Sequence, residues 1–295
     1  MQNPNSEFRS GVVPIVGRPN VGKSTLLNRL VGEKIAIVSP KPQTTWNRIL
    51  GVKTSPSAQI LFVDTPGIHD ASSKLNRSML AAAKGALQDA DLILHMVEAT
   101  DPFSDKEKQV WGLLQGVTTP VILVINKIDV GGVDVTPEAP LSFPYVKVMP
   151  ISALRGTGVA LLEKEIVAHL PFGPPYYSAD VMTDQTERFM AREIIREKIF
   201  LLTRQEIPYS CAVVVEEFKE RDEGAIFIRA AINVERETQK GILIGKGGSK
   251  LKEIGKQARM NLEELLGARV YLDLWVRVQK DWTKKEYALR EFGLT

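Results

Sequence analysis

The sequence predicts an α/β domain built on a mostly parallel sheet, followed by a smaller α+β domain. Short Val/Ile/Leu runs alternate with helix-like stretches over residues 11–170, as in a parallel sheet covered by helices. Residues 170–177, Leu-Pro-Phe-Gly-Pro-Pro-Tyr-Tyr, then break the pattern, because prolines and glycine at this density continue neither helix nor strand. Beyond the break the order becomes helix, two strands, two helices, strand and closing helix.

Each element follows from its local pattern. Residues 1–10 are polar and lack the apolar core of a secretory signal, so they read as a tail and export is not expected. Runs at 12–16, 59–63, 92–97 and 121–125 are short and rich in Val, Ile and Leu, as buried strands are. A weaker run at 145–151 supplies a further strand, and 47–53 reads as an edge strand antiparallel to 59–63. The first domain is expected over 11–170, a Pro-rich linker over 171–180 and the second domain over 181–295. In the second, a helix is expected at about 184–204, strands at 209–218, 225–234 and 269–278, and a helix on each side of Gly245–Gly248.

Hydrophobic content of 44% with 25% charged residues is that of a soluble globular protein, and no apolar run is long enough to cross a bilayer. A cytoplasmic location is expected. The single cysteine, Cys211, excludes a disulfide within the chain and reads as a small apolar packing residue. A net charge of +3 is too small to indicate nucleic acid by itself. Its distribution is uneven: residues 236–260 hold seven basic side chains against two acidic ones.

Gly17-Arg18-Pro19-Asn20-Val21-Gly22-Lys23-Ser24, with Thr25 next, follows the first strand and opens a helix. In that setting glycines turn backbone amides onto phosphates, Lys23 reaches the outer phosphates and the Ser24 hydroxyl can bind magnesium. Asp64-Thr65-Pro66-Gly67 ends the strand at 59–63, where Asp64 suits metal work and the Gly67 amide suits the γ-phosphate. Asn126-Lys127-Ile128-Asp129 ends the strand at 121–125, and a carboxylate there accepts from guanine N1 and N2. Adenine offers no such donor pair, so Asp129 predicts guanine selectivity. Ser152-Ala153-Leu154 is expected to add a backbone amide to the guanine oxygen.

These boxes resemble the TRAFAC-class GTPases and, within them, the Era-like family. The resemblance rests on GRPNVGKSTLLN at 17–28, PQTTWNRILG at 42–51, DTPGIH at 64–69, NKID at 126–129 and ILIGKGG at 242–248. It implies GTP and GDP as ligands with Mg2+, and hydrolysis of GTP with Lys23, Thr45, Gly67 and Asn20 in catalytic roles. Thr45 is favoured as the switch residue that binds magnesium, and Thr44 offers the same hydroxyl. Asn20 either helps bind K+ beside the phosphates or only shapes the loop turn. Ile68 stands where Ras-like proteins orient water with a glutamine, so slow turnover is expected. His69 and His95 read as surface or packing residues. Trp46 departs from an arginine common in the family.

Ile242, Ile244, Gly245, Lys246, Gly247, Gly248 and Lys250 form a Gly-x-x-Gly turn between helices, the backbone clamp of KH domains, and the αββααβ order is that of the type II KH fold. Lys246 and Lys250 are expected on phosphates, and Ile242 and Ile244 along the base groove. The family implies the single-stranded 3′ region of small-subunit ribosomal RNA as partner, with a role in small-subunit assembly. It also implies peripheral association with the inner face of the cell membrane, for which the closing stretch at 282–292 offers basic and aromatic residues. A monomer is expected. The rival reading is an RNA-binding or membrane module whose nucleotide domain is mainly structural.

Overall fold

The structure is a computed structural model and describes residues 7–68, 73–131, 143–221 and 224–294. His69 lies outside them. The chain divides into two compact units. The first holds Met1–Ala36, Thr45–Ala71 and Asn76–Asp184; the second holds Ile37–Thr44, Ser72–Leu75 and Gln185–Thr295.

In the first unit a six-stranded sheet has the order β2-β3-β1-β4-β5-β6. Its strands are β1 (Arg9–Val16), β2 (Ile49–Thr54), β3 (Ala58–Asp64), β4 (Ile93–Glu98), β5 (Val121–Asn126) and β6 (Lys147–Pro150). All neighbours pair parallel except β2 with β3, which is antiparallel at the edge, as expected. Helices α1 (Lys23–Val31), α2 (Lys74–Gln88), α3 (Lys108–Leu114) and α4 (Val159–His169) complete the alternation. β3 and β5 are buried along their whole length, which explains their unbroken apolar sequences.

The boundaries of the tail and linker differ from expectation. β1 opens at Arg9, inside the stretch read as a tail, because the Arg9 amide donates to Ser57 O at 3.0 Å. The Pro-rich stretch is bound along the first unit: Gly173 N donates to Phe8 O, and the Tyr176 and Tyr177 amides donate to Gln59 Oε1. Gln59 is wholly buried and its Nε2 donates back to Tyr177 O, so one glutamine side chain makes three bonds to the Tyr176–Tyr177 backbone.

The second unit contains α5 (Glu187–Leu202), β7 (Ala212–Glu220), β8 (Ile226–Val234), α6 (Glu237–Ile244), α7 (Ser249–Leu266), β9 (Val270–Val278) and α8 (Glu286–Glu291). β7 and β8 pair antiparallel, β8 and β9 parallel. One face of this sheet and the inner faces of α5, α6 and α7 form its core, with Ile195, Ile199, Ile228, Ile232, Leu243 and Leu262 buried. Cys211 belongs to that core, and burial pushes its thiol well above the usual range, so it is inert. The Ile37–Thr44 segment is tied to α5: Lys41 Nζ donates to Phe200 O and Thr203 O at the helix end, Arg196 Nη2 donates to Thr44 O, and Val38 N approaches Glu197 Oε1 at 3.5 Å.

The closing stretch is a single 3-10 turn (Trp282–Lys284) followed by the short α8, interrupted where the chain turns, rather than one helix over 282–292. Trp282, Leu289 and Phe292 are buried in the second unit, and Trp282 Nε1 donates to Ser210 O at 3.0 Å. No helix among the described residues is long and apolar enough to cross a membrane.

Candidate functional site

The phosphate loop joins β1 to α1 at the carboxyl edge of the parallel sheet, where an open α/β fold leaves a crevice for ligand. Asn20 (φ 66°) and Gly22 (φ 102°) both adopt left-handed backbone, which curls the loop and aims amides inward. Lys23, buried, donates through Nζ to Gly17 O at 3.1 Å and Arg18 O at 2.8 Å. Burial pushes the Lys23 ammonium down to about 8, against the pull of Asp64 and Glu107.

Three oxygen side chains meet beside Lys23. Ser24 Oγ donates to Asp64 Oδ2 at 2.6 Å, Thr45 Oγ1 donates to the same oxygen at 3.0 Å, and the two hydroxyls are 3.0 Å apart. All three residues are buried, and Asp64 Oδ1 has no hydrogen-bond partner. Burial raises the Asp64 carboxyl above its ordinary range, with Lys23 and the two hydroxyls opposing. Of the pair at 44–45, the Thr45 hydroxyl faces Ser24 and Asp64, whereas the Thr44 carbonyl accepts from Arg196.

The turn after Asp64 is fixed to the phosphate loop. Thr65 Oγ1 donates to Ile15 O at 2.8 Å, and Ile68 N donates to Gly17 O at 3.1 Å. A Cβ on Gly67 would stand 2.7 Å from Pro19, so only glycine permits this approach. The Ile68 side chain is turned into the core with Val16, Ala83, Ile93 and Val110, where it holds no water. Trp46, where the family often has arginine, is also buried.

At the base end, Asn126 donates to Val21 O at 2.7 Å and accepts from the Ala153 amide at 2.8 Å, joining the phosphate loop to the 152–154 loop. Lys127 has left-handed backbone (φ 69°) and pairs with Glu98 at 3.0 Å. Asp129 is exposed on the 3-10 turn Ile128–Val130. The Ser152 and Ala153 amides are both bonded inside the protein, to Thr157 O and Asn126 Oδ1. Ala153 O and Leu154 O accept from Arg29, while the Leu154 side chain is exposed. His95 has partners that its sequence context did not reveal: buried, it lies 2.7 Å from Tyr145 Oη and 3.4 Å from Glu107 Oε2.

In the second unit Gly245, Gly247 and Gly248 all have left-handed backbone between α6 and α7. A cleft of about 1010 Å³ starts at Gly248 and Ser249 and runs between α7 and β9. Leu251, Lys252, Glu253, Gly255, Lys256 and Arg259 form the helix wall, three basic side chains against one acidic, and Tyr271, Leu272, Asp273 and Leu274 the strand wall, with Phe227 from β8. Among the residues read from sequence, Gly248 lines this cleft and Ile242, Ile244, Lys246 and Lys250 do not. The reason is helical geometry. Leu243 points into the core, so its neighbours are rotated to either side: Ile244 packs against the core edge and Ile242 is half exposed to solvent. Lys252, Lys256 and Arg259, read in the sequence only as part of the basic excess over 236–260, fall at spacings of four and three, one basic stripe on the first helix after the glycine turn.

A parallel sheet carrying these three turns on its carboxyl edge, followed by a glycine clamp between helices, defines a P-loop GTPase joined to a KH domain. Family profiles match the same division: one described as 50S ribosome-binding GTPase over residues 12–127 and one described as KH domain over residues 206–283. GTPase Era of Geotalea uraniireducens (strain Rf4) is 52% identical over 295 residues, spanning 97% of this chain and 98% of its own. Two solved structures, each 44% identical and each matching 98% of this chain, superpose on it. One is Era in complex with MgGDPNP and nucleotides 1506–1542 of 16S ribosomal RNA (TM-score 0.93, 99% of that chain), the other a point variant of Aquifex aeolicus Era bound to GDP.AlF4- (TM-score 0.92, 100% of that chain). The chain belongs to the Era family of GTPases.

Proposed function

We propose that this GTPase is a slow switch whose nucleotide state controls binding of single-stranded RNA at the 3′ end of small-subunit ribosomal RNA, in assembly of that subunit and as a monomer. The observation that carries the switch is the Thr45 hydroxyl, which donates to Asp64 Oδ2 at 3.0 Å beside Ser24, where a nucleotide-bound magnesium ion would hold it before hydrolysis and release it afterwards. The RNA reading is supported by the basic wall of the α7 cleft and by the solved relative that holds ribosomal RNA.

Ser24, Thr45 and Asp64 are the residues that would hold magnesium. Support comes from the donor set, hard oxygens only, and from the buried Asp64 Oδ1 with no hydrogen-bond partner. Bound there, the ion supplies charge neutralisation for the phosphates. Gly17, Gly22 and Lys23 cradle phosphate, the Gly67 amide meets the γ-phosphate, and Asn126, Lys127 and Asp129 read guanine. Asn20, exposed on the loop and in left-handed backbone, would add potassium beside the phosphates. Peripheral membrane association draws no support from the closing stretch, whose large apolar side chains are buried apart from Tyr287.

Fluorescence anisotropy of a labelled single-stranded 3′-end RNA tests the switch, with GTP analogue, GDP and no nucleotide compared at fixed salt. The reading expects tighter binding with the analogue. Equal affinities in all three states would contradict it, and equal hydrolysis rates in potassium and sodium would remove the potassium ligand.

A further inference from the structure

Glu107 lies outside every sequence motif quoted above, yet its carboxylate is wholly buried behind the phosphate loop. An ionised carboxylate out of water costs several kcal/mol unless donors surround it. Here they do. Arg18 Nε, from the second residue of the phosphate loop, donates to Glu107 Oε1, with Arg18 Nη2 at 3.5 Å from Asp101 O. His95 Nε2 lies 3.4 Å from Glu107 Oε2, and His95 Nδ1 lies 2.7 Å from Tyr145 Oη. His95 thus turns Nε2 to the carboxylate and Nδ1 to the Tyr145 hydroxyl, which burial holds protonated by pushing it up to about 12. The contacts therefore run from Tyr145, ahead of β6, through His95 of β4, to one carboxylate that grips the loop.

We propose that Glu107 is a positioning residue for GTP hydrolysis, acting through Arg18 on the arm of the phosphate loop formed by residues 18–20. Arg18 is held at two points: its guanidinium by Glu107 and its carbonyl by Lys23 Nζ at 2.8 Å. Lys23 must give up that carbonyl to reach phosphates, and Glu107 is then the side chain that keeps the arm in place. The arm leaves no slack toward the switch, since Pro19 lies 2.7 Å from where a Gly67 Cβ would be and Ile68 N is bonded to Gly17 O. A shift of Arg18 therefore moves Pro19 against Gly67, the residue whose amide meets the γ-phosphate. GDP lacks that phosphate and should be insensitive. The inference rests on GTP hydrolysis and on the proposed contacts of Lys23 and the Gly67 amide with the phosphates, not on potassium or RNA.

The test measures hydrolysis and nucleotide affinity in the full chain for Glu107→Gln, Arg18→Ala, Arg18→Lys and the double variant Arg18→Ala with Glu107→Gln. Glu107→Gln and Arg18→Ala should each lower kcat about tenfold while GDP affinity changes less than about threefold, a loss confined to the transition state. The double variant should be no slower than the worse single one, because both remove one contact. Arg18→Lys, which restores the charge, should recover part of kcat. If the two losses multiply in the double variant, if GDP affinity falls together with kcat, or if kcat is unchanged in the Arg18 variants, the proposal is overturned. Should Glu107→Gln fail to fold, the Arg18 pair, at a partly exposed loop position outside the apolar core, decides by the same kcat and GDP readouts.

Discussion

In the proposed site, Lys23 serves two states with one ammonium. Inside the protein it bonds two carbonyls and its pKa is held down to about 8, by burial first, so above that pH an increasing share of the protein carries a neutral lysine. Phosphate oxygens favour the charged form. With Lys23 on the phosphates, nucleotide binding takes up a proton once the pH exceeds about 8, and affinity falls as pH rises further above that value. Calorimetry at about pH 8.5 in two buffers of different ionisation enthalpy should give different apparent binding enthalpies, and identical enthalpies would contradict the assignment. Asp129→Asn exchanges an acceptor for a donor and should move preference from guanine toward xanthine by about 2–3 kcal/mol, on the order of 100-fold, in competition binding. Unchanged selectivity would mean that another group reads the base.

Among the elements, α7 links sequence to recognition most directly. Its basic residues Lys252, Lys256 and Arg259 recur on the face that walls the cleft. Lys256→Ala should weaken RNA binding across sequences and lower the slope of log affinity against log salt by about one. A base-specific loss with an unchanged slope would place Lys256 on a base instead. Gly245→Ala should act differently. Its φ of 70° and a Cβ 2.8 Å from Lys250 Cβ strain the turn itself, so RNA binding and the stability of the second unit should fall together, read as affinity and urea midpoint.

Elements with strong local patterns were legible before the structure. β3 and β5 stood out because burial on both faces leaves an uninterrupted apolar run, and the phosphate loop because its chemistry is contiguous in the chain. The start of β1 was not, since Arg9 and Ser10 are polar and are recruited by Ser57 and Pro171 carbonyls. Glu107 and His95 were invisible for the same kind of reason: their meaning comes from groups brought together by the sheet order, not from neighbours in sequence. The cleft residues were half legible, as charge without direction.

On the scale of the molecule, the two units do not correspond to two stretches of chain, because Ile37–Thr44 and Ser72–Leu75 belong to the second. Lys41 places its ammonium on Phe200 and Thr203 carbonyls at the negative end of α5. Lys41→Met should cost about 1–2 kcal/mol there, read as faster amide exchange at the end of α5, while GDP affinity is unchanged. Protection that stays at the parental level would show that the contact contributes nothing.

The same interleaving has a consequence during synthesis. Ile37–Thr44 leaves the ribosome well before α5, the helix it is bonded to, begins at Glu187. At about 5–20 residues per second the wait is on the order of ten seconds, long compared with most folding steps. The first unit therefore matures with the segment between α1 and β2 unclaimed, and nascent chains paused before residue 187 should be cut by protease within 37–44 and become resistant once α5 has emerged.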